Sequence, residues 1–569
     1  MKSMSGSTLA KLLPLGALAL TALLTPSPAR ACGGFFCSAT NPVNQAAERI
    51  IFAKNNDATV TAVIEIQYQG PSTSFSWLLP ISSVPMGDQI AVASNVAFQR
   101  LQQATNPQYN LTLRVEGTCD ERSLDRGGGK SANGVPGLNL GGSAPDASHG
   151  GVTVEASGIV GSFEWTVISL DAKLPNPADA AVQWLGDNGY DVPTGAPGLL
   201  GPYLEDGLYL LALRLKKGAD VGSIRPIVLT YDAEKPMIPI KLTAVAANDD
   251  MGVLAWLLGD ARAVPQNYNA LELNEARINW FSASGNYNQV VSEAADDAGG
   301  QGFVTEQAGP TSALANVVWS QSDEDAWKRV QDAAGSDISL YNQARDSFWQ
   351  FDGFWEVVAE HATLPQGTTV EQLKQCPYCT QNLETDSAFL SALEANVIQP
   401  VKLVQDLIQA HPQITRLYTT MAAAEMTVDP LFTFNRDLQA VNNVHTAERV
   451  IECSAGYYQD EAPWRIELPH GGVIRGTPAD VGIWPVSFAS QPANRLIMRQ
   501  GETGAGRVLE DNSDEITADL ADYSASVKAP PKHSTGSGAF GCSLSHPPSS
   551  GGWALVSVGL VLGFLRRRR

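Results

Sequence analysis

The sequence predicts an α+β protein: a β-rich N-terminal domain with inserted helices, residues 32–310, followed by a mainly helical region that ends in a short β-leaning segment, residues 311–524. Three observations carry this. Val60, Ala62 and Ile64 alternate with Thr61, Glu65 and Gln67, the period of two of a half-buried strand. Leu390, Leu393, Val397, Val401, Val404 and Leu407 recur at helical spacing. With 44% hydrophobic and 17% charged residues, the chain has the composition of a folded protein. Its 569 residues are too many for one core.

In chain order, the alternation at 60–68 ends at the Gly70-Pro71 turn, and 75–79 makes the next strand, stopping at Pro80. Apolar runs predict strands at 111–116, 161–170, 208–215, 227–231, 240–246 and 252–258. Helical spacing predicts inserted helices over 88–104 and 178–188. Gly, Ser and Asn dominate 126–151, which reads as a loop. Beyond residue 310, helices are predicted over 323–334, 340–351, 354–362, 369–375 and 387–410, and β segments at 449–453, 464–468 and 481–488. Residues 525–541, rich in Pro, Ser, Gly and Lys, read as a flexible tether.

Both ends carry export signals. Lys2 and Lys11 precede an apolar stretch over 12–24, Pro26 and Pro28 break it, and Ala29-Arg30-Ala31 gives the small residues that signal peptidase requires. Residues 1–31 are therefore expected to be a signal peptide cleaved between Ala31 and Cys32. Cys32 is an alternative lipidation site, although Ala29 stands where a lipobox has an aliphatic residue. The other end runs from Gly541-Cys542 through an apolar stretch, 553–565, to four arginines at 566–569. Those arginines are expected to stay in the cytoplasm, leaving the body on the far side. As a helix the stretch covers only about 20 Å of a hydrocarbon core about 30 Å thick. With 59 acidic against 38 basic residues the net charge is −21, so nucleic acid and anionic lipid are not expected partners of the body.

The cysteines are Cys32, Cys37, Cys119, Cys376, Cys379, Cys453 and Cys542. An even set in the mature body suits disulfides in an oxidising compartment, and the seventh, Cys542, suits sorting or lipid attachment. Close spacing favours Cys376–Cys379; Cys32–Cys37 and Cys119–Cys453 would complete the set, although spacing leaves connectivity open. Cys376-Pro377-Tyr378-Cys379 also matches a glutaredoxin-type redox site. That chemistry needs the first cysteine at a helix N-terminus, where the dipole favours a thiolate. The helix predicted over 369–375 precedes Cys376 instead, so a structural bridge is expected and redox activity is the alternative.

Gly-Cys, a short apolar helix and an arginine cluster resemble the MYXO-CTERM sorting tail of myxobacteria. That resemblance, over about the last 30 residues, marks 542–569 as the sorting tail and implies its removal by a sorting protease near Cys542, a lipid on that cysteine, and display at the cell surface. The body carries its own phrases: Ala31-Cys32-Gly33-Gly34-Phe35-Phe36-Cys37, Glu48-Arg49-Ile50-Ile51-Phe52-Ala53, Phe75-Ser76-Trp77 with Leu78-Leu79-Pro80, Trp184-Leu185 with Asn188-Gly189-Tyr190, and Thr305-Glu306. From Cys32 to Pro310 these resemble the exported bacterial family called domain of unknown function 2330. The resemblance implies no activity and brings no catalytic residues.

Catalytic signatures are missing: there is no GxSxG elbow, HExxH, Walker A loop or EF-hand spacing. No two of His149, His361, His411, His445, His470, His533 and His546 lie within five residues, so each reads as a single satisfied side chain. The acidic pairs Asp249-Asp250, Asp296-Asp297 and Glu510-Asp511 lack calcium-loop spacing and read as solvated surface. Trp77, Trp165, Trp256 and Trp280 fall in strand-like runs and read as core. No catalytic residue, cofactor or metal is expected. The sequence points to an exported, anchored envelope protein that binds or builds rather than catalyses.

Overall fold

The computed structural model describes residues 44–69, 76–120 and 151–533, apart from 172, 191–194, 217–223, 246, 336, 365–366, 379–382 and 384–385. Ala31, Cys32, Cys37, Cys379, Cys542, the predicted signal peptide and the sorting tail lie outside the described residues.

The first half builds strands and a few helices: β1 (Asn44–Lys54), β2 (Thr59–Gln69), β3 (Ser76–Ile81), β4 (Ile90–Val92), α1 (Asn95–Thr105), β5 (Gln108–Gly117), β6 (Val152–Val160), β7 (Phe163–Leu170), α2 (Pro177–Asp187), α3 (Ala196–Glu205), β8 (Tyr209–Leu215), β9 (Ile227–Asp232), α4 (Ile240–Thr243), β10 (Ala247–Gly259), β11 (Arg262–Pro265), β12 (Asn269–Leu273), α5 (Tyr287–Asp297) and β13 (Gly302–Pro310). Helices then dominate: α6 (Gln321–Asp332), α7 (Asp337–Phe348), α8 (Phe354–His361), α9 (Val370–Gln375), α10 (Asp386–Leu393) and α11 (Gln399–Ala410). The chain returns to sheet with β14 (Gln413–Met421), β15 (Phe432–Asn435), β16 (Val444–Cys453), β17 (Trp464–Glu467), β18 (Val473–Gly476), β19 (Asn494–Arg499) and β20 (Arg507–Asp511), and closes on α12 (Ser513–Ser526). The α+β class read from the sequence is the class observed.

A ten-stranded sheet in the order β20-β19-β12-β13-β14-β10-β1-β2-β9-β4 forms the backbone of the fold. Its middle is buried on both faces, because side chains alternate across a strand. Ile51, Ala53, Leu254, Trp256 and Leu258 point to one core, shared with α1, α6–α8, α10 and α11 through Phe98, Trp327, Phe348, Phe389 and Val404. Ile50, Phe52, Val253, Ala255 and Leu257 point to a second core. There they meet Trp77, Trp165 and Leu213 of a four-stranded sheet, β3-β8-β7-β6. The outer face of that smaller sheet is covered by α2 and α3 through Trp184, Leu185, Leu200 and Tyr203. The layers are thus helix, sheet, sheet, helix. A separate core joins β12 and α5 to β16–β18 and α12. Trp77, Trp165, Trp256 and Trp280 are all buried, as core residues should be.

Several expectations are corrected. The boundary at residue 310 does not separate two folding units, because β14, β19 and β20 come from beyond it and β14 pairs directly with β10 and β13. Of the strand expected over 240–246, residues 240–245 do not extend: Pro239 opens the short helix α4, which buries Ile240 and Leu242. The helix predicted over 88–104 starts only at Asn95, because Ile90–Val92 pairs with β9 as an edge strand. Residues 481–488 turn through Gly482 (φ +86°) into a 3-10 helix, Val486–Ser490, rather than extending. Of the tether, residues 527–533 are docked: Tyr457 Oη donates to Pro530 O at 2.7 Å, and His533 N to Gly456 O at 2.9 Å. Residues 534–541 lie outside the described residues.

Glu48 sets a pH dependence in this architecture. It is 4% exposed on β1, facing a small apolar cavity of about 180 Å³ beside Ile50 and Tyr231, and its Oε2 has no hydrogen-bond partner. Burial pushes its carboxyl from the ordinary 4.5 up to about 7. The folded state therefore holds a proton that the unfolded chain releases. The stabilisation is fully present below pH 4.5 and is lost as pH rises through 7. A shift of this size corresponds to about 3 kcal/mol. Urea melts of Glu48→Gln should match the native chain at pH 4 and exceed it at pH 8; parallel pH profiles would contradict this origin.

Candidate functional site

A cleft of about 930 Å³ opens where α7, α8 and the end of α9 meet the β6–β7 turn. Its floor is built around Arg225, 8% exposed, on the segment entering β9. Arg225 Nε donates to Ala93 O at 3.1 Å and Nη1 to Asn396 O at 2.8 Å. Asn396 lies in a π-helical turn, Glu394–Ile398, inserted between α10 and α11. An α-helix would satisfy the Asn396 carbonyl with the amide of residue 400. That residue is Pro400, which has no N–H, so the carbonyl is left for Arg225. The helix expected over 387–410 is continuous from Asp386 to Ala410, and this π-helical turn is its one irregularity.

Gly353 makes this approach possible. Its φ of +85° suits glycine, and a Cβ there would lie 2.7 Å from Asn396 O and 3.0 Å from Arg225 Nη1. The preceding Asp352 accepts from Ser94 Oγ and Asn95 N, both at 2.6 Å, closing the N-terminus of α1. Arg225 is one of the cleft's lining residues, and its Nη2 is buried without a hydrogen-bond partner. Burial lowers the Arg225 pKa against the opposing pull of Asp352 and Glu356. An unsatisfied buried donor costs about 1–3 kcal/mol, and a ligand acceptor would recover it.

The rim is aromatic. Trp349 is 49% and Tyr378 68% exposed, an unusual display for such large rings. Arg345 holds Tyr378 in place: its guanidinium stacks 4.3 Å from the Tyr378 ring and donates to Asp346 and Asn342. Tyr341 Oη donates to Pro377 O at 2.5 Å, fixing the turn after α9. Ring faces and one buried donor suit binding.

Most of the predicted site residues lie away from this cleft. Cys119 and Cys453 form a disulfide, Cα–Cα 4.7 Å, joining the end of β5 to β16. Cys376 is disulfide-bonded and caps the C-terminus of α9. Its neighbours Pro377 and Tyr378 line the cleft. That end of a helix dipole is negative and disfavours a thiolate, the reverse of what a redox cysteine needs. His411 Nδ1 lies 2.8 Å from Leu407 O and its Nε2 3.2 Å from Lys54 O, so one ring N–H donates to a backbone carbonyl. His445 and His470 are not isolated, as the sequence suggested, because both approach Glu275. Among the described residues, no group of three His, Cys, Asp or Glu side chains is placed to hold a metal, and no helix is long and apolar enough to cross a membrane. Sequence reasoning missed Arg225, Gly353, Trp349 and Asn396; Pro400 inside a helical pattern was the one available signal.

A family model described as an uncharacterized protein conserved in bacteria, DUF2330, matches residues 26–314. The chain belongs to the DUF2330 family. No curated protein and no solved structure matches it. The DUF2330 match supplies β1–β13 and, within the cleft, Gly161, Ser162, Lys216 and Arg225. The opposite wall, Arg345 to Asn396, lies beyond the DUF2330 match, so the cleft forms where the matched segment meets the helices that follow it.

Proposed function

We propose that this chain is an exported protein of the bacterial cell envelope, anchored through its C-terminal tail, that binds a ligand in the Arg225 cleft without transforming it. The observation that carries the reading is the buried Arg225 Nη2 without a partner, on a residue that lines the same cleft as the exposed Trp349 and Tyr378. The ligand offers an acceptor to Arg225 and flat faces to the two rings. Disulfides at Cys119–Cys453 and Cys376 support an oxidising compartment, in keeping with the signal peptide and sorting tail read at the two ends. The partners that follow are signal peptidase, a C-terminal sorting protease and the membrane itself.

Two measurements test this. Intact-mass analysis of protein from its native membrane should show a chain starting at Cys32 and ending near Cys542, with a lipid on one of them; a chain reading through Arg569 would refute the processing. Trp349 and Trp355 report on the cleft, so titration with soluble cell-envelope glycans and peptides should change tryptophan fluorescence. Trp349→Ala should weaken that binding about tenfold, the 1.4 kcal/mol of one ring contact. If no titrant changes the fluorescence and reduced Cys376 titrates well below about 8.5, thiol–disulfide exchange replaces binding as the function.

A further inference from the structure

A second cavity, about 380 Å³, is lined by residues of β12, β13 and β19. Glu275, 7% exposed just after β12, points one carboxylate oxygen at His445 Nδ1, 2.7 Å away. The His445 ring is held flat against Tyr109, centroids 4.5 Å apart. The other oxygen, Glu275 Oε2, has no hydrogen-bond partner; His470 Nε2 stands 3.9 Å from it. On the same cavity, Arg262 of β11 donates from Nη1 to Gln439 O at 3.1 Å and from Nη2 to Thr305 Oγ1 at 3.3 Å, while its Nε is buried and unpartnered. Gln500, 5% exposed, leaves Oε1 buried and unpartnered.

The surrounding charges are already matched. Glu272 is bound by Arg495, and Glu306 by Arg416 and Tyr287. What remains is one guanidinium that donates only to neutral oxygens, one carboxylate countered only by histidines, and one free amide oxygen. Leu271, Val304 and Met498 supply apolar wall. Buried polar atoms without partners are costly, and three on one small cavity of mixed sign define a complementary ligand.

We propose that this cavity binds a free α-amino acid with an apolar side chain. Its carboxylate accepts from Arg262, its ammonium donates to Glu275 Oε2 and Gln500 Oε1, and its side chain lies against Leu271, Val304 and Met498. The site is separate from the Arg225 cleft and does not depend on that reading.

Calorimetric titration of the full chain with leucine, methionine and phenylalanine tests it, with 4-methylpentanoate and isopentylamine as the deaminated and decarboxylated counterparts of leucine. At least one amino acid should bind, and leucine should bind at least tenfold tighter than either counterpart, because each lacks one half of the charge match. Arg262→Gln and Glu275→Gln should each weaken amino-acid binding tenfold or more. The proposal is overturned if none of the three amino acids binds at about 10 mM, if the counterparts bind as well as leucine, or if folded variants bind normally. Should a variant fail to fold, the comparison of ligands on the native chain decides alone.

Discussion

Replacing Arg416 by methionine is expected to destabilise the protein by about 3–5 kcal/mol. Arg416 on β14 and Glu306 on β13 form an ion pair with side chains 5% and 1% exposed. Arg416 Nη1 also donates to Thr105 Oγ1 at 2.9 Å, and its guanidinium lies 5.5 Å from the Trp256 ring. Tyr287 Oη donates to the other Glu306 oxygen at 2.5 Å. Removing the arginine strands a carboxylate where water cannot reach it. Urea unfolding should show the loss, and the double variant Arg416→Met with Glu306→Gln should recover much of it, since no uncompensated charge then remains. A double variant no more stable than the single one would mean that packing, not charge burial, dominates here.

Losing the Cys119–Cys453 bridge is expected to cost about 4 kcal/mol. The bond closes a loop of 334 residues, so its removal frees much of the unfolded chain. The effect should also be local. β5 is the edge strand of the sheet β18-β17-β16-β5, and it pairs in parallel with β16 right up to Gly117 opposite Cys453. In Cys119→Ser/Cys453→Ser the urea midpoint should fall, and amides of β5 should exchange hydrogen faster than those of β1 and β10. Unchanged β5 exchange would show that strand pairing alone holds that edge.

Much of the fold was legible because local patterns agreed with tertiary placement. The alternation starting at Val60 and the apolar run 252–258 became β2 and β10, and 354–362 became α8. Where the reading failed, a distant partner decided. Residues 413–421 contain Thr415, Arg416, Thr419 and Thr420, too polar for a core strand by pattern, yet all four are buried because β10 and β13 flank them and Glu306 answers Arg416. The short apolar stretch at Ile240 went the other way, since Pro239 and the packing of Leu242 against the α2–α3 layer favoured one helical turn. The Arg225 cleft was hidden for a similar reason: Arg225, Gly353 and Asn396 are far apart in sequence and are joined by a carbonyl that Pro400 leaves free.

By itself, the sequence determined the α+β class, the family phrases from Cys32 to Thr305-Glu306, and the pairing candidates among the cysteines, because composition, periodicity and short spacing are local properties. Tertiary structure alone decided that strands from beyond residue 310 complete the central sheet, that Glu275 gathers His445 and His470, and that Arg225 keeps one donor free. Those outcomes depend on which distant groups are buried together, and burial is what turns an ordinary arginine or glutamate into a site.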